Sequence, residues 1–410
     1  MGSALSLIWT VTAGATLLQA ANGLFQALLP LRMQALGFPI TAIGLVAAAY
    51  GLGFASGCFL APAFVRHVGH IRAYASLAAV AAVVALAFTQ AESVVSWVVL
   101  RALTGVTLAG LFTVIDGWIS ARATSSHRGQ ILSIYMVCTK VALMLSPLGI
   151  VLGSVRGDGL FMTVTAVMCL SLLPIAATLT EEPPPPRSIR VDVGDLFRKA
   201  PSAVVGAFAV GLMNGPVIAI APVYGVGIGL TQDQAAALLF ALQGGSLLLQ
   251  WPLGWLSDHS DRRIVIGALA AGTALVSLAI LAAGSMAAPA LVIPSFGLWG
   301  GLALCIYSVC VAHACDLVEP ERIVATISTL LFSWAAGVTL GPLPGAAMMQ
   351  LIGPGGLFVY SAAVSLALAG FIAVRIMLQR RPATKGGFVA LSPTSPATGA
   401  LSPRVDPGRP

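Results

Sequence analysis

The sequence predicts an all-α integral membrane protein with twelve transmembrane helices arranged as two similar halves. Three observations carry this. Hydrophobic residues make up 58% of the 410 and charged residues only 9%, far from the roughly 25% charged residues of a soluble domain. Apolar runs recur at the ~20-residue length that spans a ~30 Å hydrocarbon core, and lipid leaves such runs no option but the helix. Finally, a charged, proline-rich stretch at 181–199 divides apolar chain of similar length on either side. Pro183 to Pro186 forbid a continuing helix and favour an extended segment.

The expected organisation is thus a first half at 1–180, a cytoplasmic linker at 181–200, a second half at 201–378, and a tail at 379–410 whose S-P-T-S-P composition predicts disorder. The net charge of +7 does not indicate nucleic acid, because the charges alternate from loop to loop. Seventeen of the 21 basic residues, Arg66, Arg72, Arg122, Arg128, Arg262, Arg263 and Arg322 among them, fall in alternate loops and the tail; Arg32 and Arg156 occupy the opposite ones. By the positive-inside rule both termini and the linker are cytoplasmic in a multi-pass protein of the inner cell membrane. Without a basic leader or an A-x-A site, the first span is expected to be retained. The six cysteines lie in or at the ends of apolar runs without C-x-x-C spacing, and are read as small core residues rather than disulfide or metal ligands.

In chain order, the first span (6–29) carries Thr12, Thr16, Gln19, Asn22 and Gln26 on one face, a stripe that avoids lipid either by interhelical hydrogen bonding or by lining a cavity. The second (39–64) holds Gly51, Gly53 and Gly57 for close helix contact, and the third (73–90) is almost featureless. The fourth (94–120) contains Arg101, a charge costing about 2.5–3.5 kcal/mol in a span unless it faces the protein interior. Asp116 lies on nearly the same face but ~22 Å further along, too far to pair with Arg101 and near enough to its own end for Arg66 or Arg72. The fifth span (130–153) puts Ser133, Lys140 and Pro147 on one face, and the sixth (159–179) leads to the linker.

In the second half, Asn214-Gly215-Pro216 and Pro222 predict a broken or kinked seventh span (201–225). The eighth (233–256) aligns Gln243, Ser246 and Gln250; the ninth covers 264–284; the tenth (290–314) carries Tyr307 and His313. The eleventh (323–350) has Gly337, Gly341 and Gly345 as a packing strip, and the twelfth covers 355–378. Ser146-Pro147-Leu148 and Gly341-Pro342-Leu343, 195 residues apart, echo one another and support a duplication.

The loop Gly254-Trp-Leu-Ser-Asp258-His-Ser-Asp261-Arg262-Arg263 resembles the G-x-L-x-D-R-x-G-R-R loop of the major facilitator superfamily (MFS), in which an acid beside two arginines forms a cytoplasmic latch. The first-half copy runs through Arg66, Gly69 and Arg72 and departs from that pattern, with Arg66 in place of the acid and His70 in place of a base. Val68-Gly-His-Ile-Arg72, Tyr307 with Ala312-His313-Ala314-Cys315-Asp316, and Leu340-Gly-Pro-Leu343 are similar to a bacterial subfamily called YcaD-like. Where that subfamily shows E-S-W-L, this chain has Asp116-Gly117-Trp118-Ile119. Arg101 with Gly105 resembles the family's helix-4 R-x-x-x-G element, associated with proton coupling. The antiporters' glycine-proline element is reduced to Ser146-Pro147-Leu148-Gly149. The resemblance covers about 1–380 and implies the MFS fold, two pseudo-symmetric six-helix bundles with alternating access, with no substrate named.

Function follows as secondary active transport of a small molecule, read as proton-coupled export. The alternatives are proton-coupled uptake of an acidic small molecule and a non-transporting membrane receptor. No Walker loop and no soluble stretch long enough for an ATPase is present, nor a metal-hydrolase, paired-aspartate or Ser-His cluster at membrane depth, so an enzyme is not expected. The cavity-lining candidates are Gln19, Asn22, Gln26, Arg101, Lys140, Asn214, Gln243 and Tyr307. Asp116 and His313, with Arg101 as a distant modulator, are the coupling candidates. Arg66, Gly69, Arg72, Gly254, Asp258, Arg262 and Arg263 are the latch candidates. Arg101 and Lys140 make the mid-membrane charge positive, which favours a cargo bearing an acid group. Expected partners are that cargo, protons and membrane lipid, without nucleic acid, metal or cofactor, and with the monomer as the working unit.

Overall fold

A computed structural model describes residues 2–122, 128–176, 191–286, 288–378 and 393–394. The linker residues 181–190, with Pro183 to Pro186, and the tail other than 393–394 lie outside the described residues. In chain order the helices are α1 (Gly2–Ala35), α2 (Ile40–Val68), α3 (His70–Ala87), α4 (Val94–Arg122), α5 (Arg128–Leu145), α6 (Gly159–Ala176), α7 (Val193–Lys199), α8 (Pro201–Gly227), α9 (Gln232–His259), α10 (Arg262–Ser285), α11 (Pro289–Cys315), α12 (Ile323–Leu340), α13 (Pro342–Ile352) and α14 (Gly356–Leu378), with no strand among the described residues.

Counting α12 with α13 as one, eleven segments among the described residues are long and apolar enough to cross a membrane. The twelfth long helix is α1, 34 residues, whose Gln19, Asn22 and Gln26 stripe dilutes its apolarity. Leu52, Val83, Leu152, Trp251 and Leu275 are more than half exposed, as an outer surface facing lipid requires. Polar Asn22, Arg101, Asp116 and Asn214 are buried instead. This inverted distribution is that of an integral membrane protein.

The duplication is visible in which helices pack together. In the first half α2 packs on α4, α3 on α4 and α6, and α1 on α5 and α6; in the second, α9 packs on α11, α10 on α11 and α14, and α8 on α12 and α14. Close approach is made by glycine. A Cβ at Gly53 would strike the Ala102 carbonyl oxygen, and one at Gly245 the Gly297 carbonyl oxygen, so equivalent helix pairs are joined in the same way. The strip Gly337, Gly341 and Gly345 lies against Phe208, Leu212 and Pro216 of α8.

The prolines behave differently from expectation at three places. The seventh span is not broken: α8 runs unbroken through Pro216 and Pro222. Pro216 leaves the Leu212 carbonyl without its helical donor, and Gly341 packs closely against Leu212 and Pro216. The fifth span ends its α-helix at Leu145 and continues as a 3₁₀ segment, Ser146–Leu152. The eleventh divides at Gly341 into α12 and α13. Thus the echoed Pro147 and Pro342 mark breaks in corresponding helices.

The linker is not wholly a solvated strand. Asp192 caps α7 by accepting from the Asp195 N–H at 2.9 Å, and Leu196 is buried against the bundle. The Asp192 N–H also reaches Thr329 Oγ1 at 3.2 Å. Asp195 meets Lys199 at 3.1 Å and Arg322 at 2.8 Å, which fastens α7 to the entry of α12. Between α2 and α3 the chain turns at Gly69, whose φ of 88° is where glycine is favoured. At the opposite end of the bundle, Arg32 donates to the Val155 carbonyl at 3.2 Å, to the Arg156 carbonyl, and to Asp158 at 3.2 Å.

Candidate functional site

Two communicating chambers lie between the halves. The larger contains about 1130 Å³ of non-atom space, including its mouth, and is lined from α1 by Gln19, Asn22 and Gln26, from α5 by Tyr135, Thr139 and Lys140, from α8 by Asn214, from α9 by Gln243, Ser246 and Gln250, and from α11 by Cys305, Tyr307 and Ser308. The smaller, about 750 Å³, is lined by Leu29, Met33, Ile43, Val46, Ala47, Arg101, Ala219 and Val338. Gln26, Tyr50, Asn214, Ile218 and Trp334 border both. Seven of the eight cavity candidates therefore face the larger chamber, and Arg101 faces the smaller one.

The stripe on α1 divides: Gln19, Asn22 and Gln26 line the chamber wall, with a local bond from Asn22 Nδ2 to Gln19 Oε1 at 3.2 Å, whereas Thr12 and Thr16 border neither chamber and Thr16 Oγ1 donates to the Thr12 carbonyl at 2.7 Å. Several buried polar atoms around the chambers have no hydrogen-bond partner among the described residues: Asn22 Oδ1, Arg101 Nη1, Asn214 Oδ1 and Trp334 Nε1. Unpaired groups of this kind are costly in a packed interior, so they mark surfaces completed by water or cargo. Arg101 is 8% exposed and is held by ring faces, its Cζ lying 4.4 Å from the Tyr50 centroid and 5.7 Å from that of Phe25. Lys140 instead donates across the interface between the halves to Gln250 Oε1.

Asp116 is fully buried. Its carboxylate accepts from Tyr135 Oη at 2.9 Å and from Thr394 Oγ1 at 2.9 Å. Thr394, in a tail for which no placement was expected, lines the mouth of the larger chamber with Pro393. His313, 8% exposed in the last turn of α11, faces the charges of Arg263, Asp261, Asp316 and Arg262 and borders neither chamber.

The second-half loop is a network. Arg262 donates to Asp316 at 2.6 Å, Ser257 at 2.9 Å and Asp258 at 3.1 Å. Arg263 is held by Asp261, which also caps α10 through the Arg263 N–H at 2.9 Å. Burial pushes the Asp261 carboxyl up, but the Arg263 hydrogen bonds outweigh it and hold the group below the ordinary carboxylate range. Gly254 is buried behind the network. In the first-half loop Arg66 and Arg72 are exposed, unlike the buried Arg262 and Arg263. His70, placed by sequence where a loop base belongs, is 2% exposed and its ring lies 6.1 Å from that of Trp118.

Sequence reasoning overlooked Tyr50, Trp334 and Tyr135, and it met Asp316 only within the Ala312–Asp316 resemblance, not as the partner of Arg262. Tyr50 and Trp334 look like ordinary membrane aromatics, and only their position beside Arg101 and Asn214 distinguishes them. Gln250 was visible in the α9 stripe but not as a partner for Lys140.

Most of the chain finds counterparts. The Major Facilitator Superfamily model matches residues 11–303 and 203–405. The MFS-type transporter YcaD of Salmonella enteritidis is 27% identical over 358 residues, covering 86% of this chain and 91% of the relative, and that of Salmonella dublin is 26% identical over 356 residues, with 86% and 91% covered. Among solved structures, a bacterial homologue of the lysosomal transporter Spinster, inward-facing and occupied, superposes with a TM-score of 0.76 at 16% identity, over 94% of this chain and 99% of the other. The nucleoside transporter NupG superposes with a TM-score of 0.75 at 12% identity, over 90% and 98%. The duplicated bundle, the inward polar wall and these matches agree that the chain is a multi-pass membrane transporter rather than an enzyme and belongs to the major facilitator superfamily.

Proposed function

We propose that the protein is a proton-coupled exporter of a small acidic molecule, working as a single chain in the inner cell membrane with both termini cytoplasmic. The observation that carries the reading is the pair of chambers between the halves, the larger with polar side chains from α1, α5, α8, α9 and α11 in its wall and the smaller with Arg101 of α4 in its wall. Helices of both halves contribute unpaired polar atoms to it, as a site alternately exposed by rocking halves requires. The units that rock are 1–180 and 201–378, joined by 181–200. The cargo is acidic because Arg101 and Lys140 supply positive charge at membrane depth.

Asp116 is the coupling acid in this reading. It is a buried carboxylate whose protonation changes when the bonds around it change, and Tyr135 links it to the larger chamber. His313 serves the loop network rather than the cargo. A solved neighbour is a D-xylose–proton symporter, with a TM-score of 0.68 at 14% identity; that coupling belongs to the neighbour and comes to this chain only as part of the proposal.

The test is a substrate screen in proteoliposomes with an imposed pH gradient, repeated with Asp116→Asn. Export predicts accumulation against the gradient in the antiport sense, whereas accumulation with proton entry supports uptake. If Asp116 couples, the variant keeps substrate exchange and loses gradient-driven accumulation. Full gradient-driven accumulation in the variant removes Asp116 from the coupling step.

A further inference from the structure

The smaller chamber is apolar except at a few points. Its polar atoms converge from different helices: the Arg101 guanidinium from α4, the Asn214 amide from α8 and the Trp334 indole from α12. Arg101 Nη1, Asn214 Oδ1 and Trp334 Nε1 are all buried without a hydrogen-bond partner among the described residues. The two rings beside Arg101 take up the faces of its guanidinium, so its N–H edge is what remains for a ligand. Its interactions among the described residues are with those rings, and none is with a carboxylate. A guanidinium in a membrane interior is rarely left without an anion or a set of acceptors.

Lys140 differs in each respect. It lies in the larger chamber and is engaged by Gln250 of the other half. Of the two bases, one is bonded across the interface, and the other lines the smaller chamber with a buried Nη1 that has no hydrogen-bond partner among the described residues.

We infer that the smaller chamber is an anion subsite in which Arg101, and not Lys140, receives the acidic head of a small organic acid edge-on, while the apolar wall of Ile43, Val46 and Ala219 receives its body. The Asn214 amide and the Trp334 indole meet the ligand's remaining polar atoms. Planar bidentate recognition is what guanidinium offers a carboxylate or sulfonate, and an ammonium does not. This rests on the transport reading above and adds the class of cargo and the residue that reads it.

The test needs no knowledge of the physiological cargo. Ala219 is partly exposed and lines the same chamber, so Ala219→Cys places a thiol beside Arg101. The full-length protein in lipid nanodiscs is treated with 2-sulfonatoethyl, 2-trimethylammonioethyl or uncharged methyl methanethiosulfonate. Labelling at position 219 is followed by peptide-resolved mass spectrometry, with the native cysteines in place. The expected anionic-to-cationic rate ratio is about tenfold above that of the same reagents with free cysteine. It falls to near the free-cysteine value in Arg101→Gln, is kept only in part in Arg101→Lys, which holds the charge without the planar fork, and changes far less in Lys140→Gln than in Arg101→Gln. The Arg101→Lys variant keeps the charge in the same place, so a collapse through misfolding is recognised by loss of labelling with the uncharged reagent as well.

The proposal is overturned if the ratio shows no anion preference, if Arg101→Gln leaves it intact, or if Lys140→Gln abolishes it. Failure of the transport reading looks different: the proteoliposome screen then shows no gradient-driven flux of any cargo, whatever the labelling ratio at position 219.

Discussion

Arg262 at the start of α10 reaches across 2.6 Å to Asp316, just beyond the end of α11, with their side chains 2% and 3% exposed. The pair joins two helix ends that are 54 positions apart in sequence, whereas Asp258, on the same arginine, is one turn away and 32% exposed. Burial decides which acid matters more. Removing one partner of a buried pair costs about 3–5 kcal/mol, and an exposed pair contributes ~0–1 kcal/mol. Asp316→Asn is therefore expected to lower the thermal midpoint in detergent far more than Asp258→Asn. Equal shifts would mean that the sequence-local pair, not the buried one, holds the loop.

Glycine contacts set how closely the helices approach. At Gly245 a methyl group would overlap the Gly297 backbone carbonyl, while Gly370 has open space around its added carbon. Gly245→Ala is expected to destabilise by about 1–3 kcal/mol through overpacking and to reduce the monodisperse yield on size-exclusion chromatography. Gly370→Ala should stay within about 0.5 kcal/mol of the parent. If the two behave alike, the α9–α11 approach is looser than described.

Lys140 and Gln250 connect α5 to α9 across the halves. Lys140→Met is expected to weaken that connection without removing side-chain bulk. Spin labels at Leu145 and Leu248, both exposed, would then give a broader or longer distance distribution than in the parent. A superimposable distribution would show that the pair does not restrain the halves.

Asp195 holds α7 through Lys199 and Arg322. The Lys199 hydrogen bond, with the charge of Arg322, holds its carboxyl below the usual carboxylate range against the opposing effect of desolvation. Because the folded-state pKa is depressed, its contribution is fully present above the unfolded value of about 3.9 and is lost as pH falls through the lower folded value. Hydrogen exchange in α7 should be insensitive to this group between about pH 5 and 8, after correction for intrinsic rates, and rise only under stronger acid. Arg322→Gln should move that rise to higher pH; an unchanged midpoint would exclude Arg322 as a contributor.

How much of this was legible depended on range along the chain. The apolar runs, the Gln19–Asn22–Gln26 stripe and the Gln243–Ser246–Gln250 stripe are local periodic patterns, and a helix converts each into a face. They sufficed for the helices, the duplication and most of the cavity wall. Proline was less informative. Pro147 and Pro342 coincide with breaks, but Pro216 and Pro222 do not interrupt α8, because neighbouring helices decide whether a proline's missing bond bends the chain.

By itself, the sequence determined that the chain must enter lipid, divide into two similar halves and keep its rare polar stripes out of the hydrocarbon, since hydropathy and periodicity act within one helix. Only the tertiary structure decided which groups meet: Arg101 with Tyr50 and Phe25, Lys140 with Gln250, Arg262 with Asp316, and Thr394 with Asp116. Those pairings join residues from different helices or distant turns, and helix rotation and packing distance set them. A one-dimensional charge pattern places Arg101 and Lys140 in the same class; packing closes the partner of one and leaves the other facing an open chamber.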